Sequence, residues 1–335
     1  MKLDRYIKQD LEKTFNIKIN REIFSKEIFF YQKTKSSKEK LNSRFGVLYP
    51  KEINNQSSFQ IEKVFPFILN EKPKMLEHRL LITPYLSERE LKFLTLFNID
   101  SVITEKLQIN TPLKVFDIPV LETKNIEKLN IEKLSYKRKT KEISGTNLFF
   151  DFGYGNYYFL IVLPYDSLEQ SLKNLNFIGS YKVTKELIRR IFEVSAPKGY
   201  RIRFLFCDHA YHNNIGLVEH IKNINTDKIL AVMNLQDTGL GNEKLITKNY
   251  RYLLDEYTQR KIIKIANKIG ESIKSTVMDD FSNIDLIIKD IPIIWFYSFP
   301  NRYKTSLHYN FLPKIYTKKI SYILFSIIKN LYRDI

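Results

Sequence analysis

Four of the five histidines, His209, His212, His220 and His308, lie in the C-terminal region, and two of them adjoin an acid in the stretch Asp208-His209-Ala210-Tyr211-His212. Imidazole and carboxylate are ligand types that suit zinc, so Asp208, His209, His212 and His308 form a candidate metal site. The competing reading is a polar loop at a strand end, because a three-residue spacing fixes a common side-chain direction on a helix and not on a loop. Cys207 comes just before, and with His209 or His212 as base its thiol is a candidate nucleophile. It also ends the apolar run RIRFLFC, where a buried inert thiol is the commoner outcome. Gly239-Leu240-Gly241 lacks the further glycine and the following helix that cradle a phosphate, and reads as a turn. Trp295, inside IPIIWFY, reads as packing.

Such residues work only where strand ends and helix starts hold them. From about residue 147 apolar strands alternate with amphipathic helices. NLFFDF, YYFLIVL, RIRFLFC, KILAVMNL and IPIIWFY read as strands. Between them, Val183, Leu187, Ile188, Ile191 and Phe192 share one helical face, NIGLVEHIKN is a short helix, and a polar helix falls near 254–269. The last helix carries Ile320, Ile323, Leu324, Ile327, Ile328 and Leu331 on one face. This pattern predicts an α/β fold: a mostly parallel, twisted sheet covered on both faces by helices, with functional loops at the carboxyl ends of its strands.

Upstream, Leu3, Ile7, Leu11 and Phe15 predict an amphipathic helix, and residues 1–45 are read as an N-terminal helical segment packing on the main domain. KTKSSKEKLNSRFG reads as a connection. Residues 46–142 hold short apolar runs between polar turns, including HRLLITPY, the helix-like SERELKFLTLF, DSVIT and FDIPVL; this predicts a smaller β-rich domain. The basic SYKRKTKE at 135–142 reads as a linker, with the main domain at 143–335.

The chain has 335 residues, 44% of them hydrophobic and 27% charged, which suits a soluble globular protein. No apolar run reaches the length of a transmembrane span, the charged start MKLDRYIKQD is unlike a signal peptide, and the single cysteine excludes an intrachain disulfide; the expectation is a cytoplasmic protein. The net charge of +17, from 54 Lys and Arg against 37 Asp and Glu, favours anionic partners. Without a groove-reading motif, charge spread along the chain argues against nucleic acid. The 21 Tyr and 24 Phe mostly fill the core, although a Tyr-rich surface favours protein recognition.

The order of the later segments resembles the zinc aminopeptidase family of the glutamate carboxypeptidase and transferrin receptor type. In that family a strand ends in His-x-Asp-Ser; here YYFLIVLPYDS ends in Pro164, Tyr165, Asp166 and Ser167. LKNLNFIGSYKVTKELIRRI stands in place of a Gly/Asp/Asn-rich loop that opens a helix, and RIRFLFCDHAYHNNIGLVEHI in place of a strand running into Asp-Gly-Glu-Glu. AVMNLQDTGLG matches a strand ending Asn-Leu-Asp, and IPIIWFYSFPNRYKTSLHYNFLPKI an Ile-Pro strand leading to Tyr-His-Thr. Residues 46–142, with IDSVITEKLQINTPLKVFDIPVLE, are similar to the protease-associated domain that many members insert.

The resemblance implies a two-metal site, which needs imidazole and carboxylate ligands and a bridging carboxylate to hold cations about 4 Å apart. The family's first His falls on Pro164, the bridging Asp within Asn174–Asn176, the Glu pair on Ala210 and Tyr211, the next Asp on Gln236, and the final His on Lys304. Only Asp166 survives, and in the family it orients the first His. The resemblance therefore implies an inactive member with no metal and no cofactor, whose vestigial cleft (Pro164, Asp166, Asn174, Asn176, Ala210, Tyr211, Gln236 and Lys304) binds a protein or peptide. Either Lys304 places its ammonium beside Asp166, in the space of the lost ions, or Asp166 caps the following turn and Lys304 points to solvent. Two alternatives stand: an active metal-dependent hydrolase with ligands relocated to Asp208, His209, His212 and His308, with zinc as its cofactor, and a basic nucleic-acid-binding protein.

Overall fold

The run Tyr157–Pro164 is apolar at every buried position because it is covered from both sides. In a computed structural model of the chain, Phe159, Ile161 and Leu163 enter one core cluster while Leu160 and Val162 enter another. Strict alternation of side chains along a strand sends odd and even residues to opposite faces. The structure describes residues 3–33, 42–43, 46–47, 58–60, 64, 79–87, 90–91, 94, 99–108, 115–116, 118–128, 136–165, 175–209, 214–235, 238–239, 241, 243–248, 253–277, 291–299 and 314–331.

In chain order the elements are α1 (Leu3–Phe15), β1 (Asn20–Lys33), β2 (Asn42–Ser43), β3 (Gly46–Val47), β4 (Ser58–Gln60), β5 (Leu80–Ser87), β6 (Ser101–Gln108), β7 (Val115–Phe116), β8 (Val120–Glu122), β9 (Tyr136–Gly153) and β10 (Tyr157–Pro164). There follow α2 (Leu175–Phe192), β11 (Tyr200–Cys207), α3 (Ile215–Lys222), β12 (Ile229–Asn234), β13 (Glu243–Lys248), α4 (Leu253–Lys268), β14 (Lys274–Val277), β15 (Ile293–Phe299) and α5 (Lys314–Leu331). The strands join in one sheet, in the order β14-β13-β15-β12-β10-β11-β9-β1-β2-β8-β6-β5-β4. β11, β10, β12 and β15 run parallel, as do β4, β5, β6 and β8; β9 is antiparallel to both β11 and β1. The α/β architecture with a central sheet between helices is the one the strand–helix alternation predicts.

One face carries α1, α2, α4 and α5, whose buried residues merge into a single cluster with the sheet. α5 is seated by Ile320, Ile323, Leu324, Ile327, Ile328 and Leu331, none more than 2% exposed. Each such side chain contributes about 1.5–3 kcal/mol when fully buried. α1 buries Leu3, Ile7 and Leu11 and is pinned to α2, where Lys185 Nζ reaches Asp10 Oδ1 at 2.7 Å and the Tyr181 hydroxyl donates to Asp10 Oδ2 at 2.6 Å. α3 covers the other face with Leu217, Val218 and Ile221, in a cluster that includes Cys207 and Trp295. Trp295 is core, as its neighbours in sequence suggest.

Two local expectations are corrected. Residues 20–33, read as part of a helical N-terminal segment, form β1. Residues 136–142, read as a linker, are the first part of β9, which is 18 residues long. β1 and β9 pair without a register break from Asn20↔Phe149 to Lys33↔Tyr136. Lys137–Glu142 are all exposed, so their composition resembles that of a linker, but their backbone has a partner far upstream in sequence. The boundary expected at 142–143 therefore falls inside a strand. Beyond it β2, β8, β6, β5 and β4 extend the same sheet, and Tyr31, Val47, Leu80, Ile82, Ile103, Leu121 and Ile126 form a separate buried cluster there. Among the described residues, no helix is long and apolar enough to cross a membrane.

Candidate functional site

The carboxyl ends of β10 and β11 lie side by side, with Pro164 opposite Cys207 in the last pair of the ladder. The chain leaves β10 through Tyr165, whose N–H donates to the Cys207 carbonyl at 2.7 Å. Its side chain, 2% exposed, turns back under the sheet, and its hydroxyl donates to the Thr146 carbonyl on β9. Burial, and then the charge of Asp208, push the phenol well above its ordinary pKa. Tyr165 is therefore a neutral internal donor.

β11 leaves through Cys207, Asp208 and His209, all essentially inaccessible. Asp208 Oδ2 accepts the Thr146 N–H at 3.1 Å and Oδ1 accepts the His209 N–H at 2.8 Å. His209 adopts a left-handed backbone (φ 58°), which turns its ring away from the strand axis and towards β9. There Nε2 lies 3.0 Å from the Ser144 carbonyl, and since a carbonyl only accepts, Nε2 carries the proton. The ring meets Phe24 edge-on at 5.8 Å, and a Cβ at Gly145 would come within 2.5 Å of both rings. Asp208 and His209 thus hold β11 to β9. Burial, then Glu22 and Asp208, raise the Cys207 thiol well above its usual range. A thiol so placed is not a nucleophile.

A chain of polar contacts runs from this corner along the α3 face. Asn147 Oδ1 accepts the Asp208 N–H at 3.2 Å, while Nδ2 donates to the Gly216 carbonyl at 2.7 Å and to Glu22 Oε2 at 2.9 Å. His220 Nδ1 lies 2.6 Å from Glu22 Oε2, and Arg203 Nη1 lies 3.4 Å from His220 Nε2. The guanidinium cannot accept, so Nε2 accepts and Nδ1 donates to Glu22. Arg203 also forks onto Asp151, Nε to Oδ1 at 2.6 Å and Nη2 to Oδ2 at 2.7 Å, between the rings of Phe149 and Tyr158. Burial works to raise the Glu22 pKa, but the hydrogen bonds from His220, Asn147 and Asn223 more than offset it and leave it at about 2. Glu22, His220, Arg203 and Asp151 are legible in sequence only as scattered charged residues, because no local spacing joins them.

Thr238 and Gly239, beyond the end of β12, are also held by hydrogen bonds. Thr238 donates through Oγ1 to the Leu235 carbonyl at 2.8 Å and through N–H to Ser180 Oγ of α2 at 2.8 Å. Gly239 has φ 88° and donates to Ser298 Oγ at 2.5 Å, the turn that its sequence predicts.

Of the sequence-derived candidates, Pro164 ends β10, Asn176 lies in the first turn of α2, and Asp208 and His209 meet at the β11 end. Asp166, Asn174, Ala210, Tyr211, His212, Gln236, Lys304 and His308 lie outside the described residues. Among the described residues, no three His, Cys, Asp or Glu side chains gather to hold an ion.

The chain superposes on an aminopeptidase from Aneurinibacillus sp. strain AM-1 with a TM-score of 0.55 and 10% identity, over 98% of this chain and 87% of that one. It superposes on a zinc aminopeptidase from Bacillus subtilis with a TM-score of 0.54 and 14% identity, over 97% and 87%. The fold is that of the zinc aminopeptidases. A peptidase M28 precursor from Shewanella amazonensis SB2B shares it at a TM-score of 0.50 and 11% identity, over 97% and 86%. No family model and no curated protein sequence matches the chain. What this aminopeptidase-fold chain shares with these structures is therefore its architecture.

Proposed function

We propose that this protein keeps the aminopeptidase fold without its metal chemistry and serves as a protein- or peptide-binding module. The observation that carries this reading is the corner of β10 and β11. The position at which the family resemblance expects the first histidine is Pro164, and the nearest described donors, Asp208 and His209, are spent on the β9 backbone. Asp208 Oδ2 already accepts a buried N–H and the His209 Nε2 proton already serves a buried carbonyl, so turning either side chain away abandons a backbone group at a cost of about 1–3 kcal/mol.

In this reading the cleft runs past Pro164, Asp166, Asn174, Asn176, Ala210, Tyr211, Gln236 and Lys304, with the Lys304 ammonium near Asp166 in place of the ions. The part of the sheet built by β3 to β8 acts as a protease-associated-like unit beside that cleft, and a single buried thiol suits the cytoplasm. The test is elemental analysis of protein purified without chelator, together with an aminopeptidase assay on leucine p-nitroanilide in added zinc. The expected result is zinc far below stoichiometric and no turnover. Stoichiometric zinc that disappears in His209→Ala or His212→Ala, accompanied by turnover, overturns the reading in favour of a rebuilt metal site.

A further inference from the structure

β9 changes partners along its length. At Leu148 and Phe149 it lies between β1 and β11, but from Tyr136 to Asn147 only β1 pairs with it among the described residues. Among the described residues, the side facing away from β1 is thus a strand edge. Its orientation can be read residue by residue. Thr146 turns its N–H to Asp208 and its carbonyl to Tyr165, and Ser144 turns its carbonyl to His209, all on the β11 side. Ile143 instead presents its carbonyl to Ser25 of β1. In an antiparallel strand both backbone groups of a residue point to the same neighbour and alternate along the chain. The ladder with β1 has no bulge, so the alternation carries on unbroken. Arg138, Thr140 and Glu142 therefore present their N–H and C=O groups at the outer edge, while Lys137, Lys139 and Lys141 bond to β1.

This stretch is exposed at every residue from Lys137 to Glu142 and carries four cations against one acid. The side chains of Lys137, Lys139 and Lys141 stand on one face of the ribbon; Arg138, on the other, stacks over Phe29 at 5.2 Å. An edge of this kind accepts an added strand through its backbone, and its charge decides which strand. A second copy of the same edge would set cation against cation, which is unfavourable across a strand pair. A strand with acidic side chains at alternate positions meets the lysine row instead.

We propose that the Arg138–Glu142 edge of β9 captures an extended acidic peptide segment by strand addition. The site is separate from the closed corner at Asp208 and His209, so it stands whether or not the chain has lost catalysis.

The probe is a fluorescein-labelled (Glu-Val)4 peptide followed by anisotropy, with (Lys-Val)4 as control and amide exchange read at single residues. Saturable binding of the acidic peptide alone is expected, with new protection at Arg138, Thr140 and Glu142. Thr140→Pro removes an outward N–H while leaving the β1 ladder intact, because edge strands tolerate proline on the free side. It should weaken binding about tenfold or more with an unchanged unfolding midpoint. The triple variant Lys137→Glu, Lys139→Glu, Lys141→Glu should shift preference to (Lys-Val)4. Three results each overturn the proposal: no saturable binding, binding without protection of the outward amides, or an oligonucleotide that competes and binds Thr140→Pro as well as the parent. The last would reassign the basic edge to nucleic acid.

Discussion

His220 Nδ1 and Glu22 Oε2 lie 2.6 Å apart although 198 residues separate them in sequence. The contact joins α3 to β1, and through Arg203 and Asp151 it reaches β11 and β9, of which β9 pairs with β1. The N-terminal strand is therefore locked to the main sheet by charge as well as by its ladder.

Glu22 has a folded pKa of about 2 against an ordinary value of 4.5. A depressed carboxylate contributes stability that is complete above about pH 4.5 and is lost as pH falls towards 2. At about 1.36 kcal/mol per pH unit, and discounted because the group is only half-buried, the contribution is about 1–2 kcal/mol. Glu22→Gln should lower the urea-unfolding free energy by that amount at pH 7, and by much less at pH 3. An equal loss at both pH values would show that the charge is not what matters.

Gly216 opens α3 directly against the β11 end. A Cβ there would lie 2.4 Å from the Asp208 carbonyl oxygen and 2.6 Å from Asn147 Oδ1. Neither atom can move without breaking the Asn147 contacts. Although alanine is the better helix former by about 1 kcal/mol, Gly216→Ala should destabilise by about 1–3 kcal/mol. Thermal unfolding measures it; an increase in midpoint would mean that α3 slides freely on the sheet.

Asp208 accepts two backbone N–H groups while buried, so its role is to hold β9, β11 and the left-handed turn at His209. Hydrogen bonds to a charged acceptor contribute about 1.5–3 kcal/mol each. Asp208→Asn keeps the shape but sets an amide against one N–H, and should cost about 2–4 kcal/mol in chemical denaturation. Zinc content, measured in parallel, should not change. A variant of native stability with altered metal content would make Asp208 a ligand.

The sequence by itself determined the elements whose signal is local. Ile320, Ile323, Leu324, Ile327, Ile328 and Leu331 recur at helical spacing, and Phe159–Leu163 is apolar at every step because both faces are covered; such patterns need no knowledge of the partner. They sufficed for the α/β architecture and for the order of segments along it. They also marked Pro164 as a residue without a ligand atom, since that depends on residue type alone.

Tertiary structure decided what depends on a distant partner. Lys137–Glu142 have the composition of a linker, and only the ladder to β1 makes them a strand with one open edge. Asp208 and His209 have the composition of a metal site. Folding brings Thr146 and Ser144 of β9 within hydrogen-bond reach, so that a lone pair of Asp208 and the Nε2 proton of His209 serve backbone groups. A side chain's chemistry is set by its type, but which group satisfies it is set by contacts that no local spacing records.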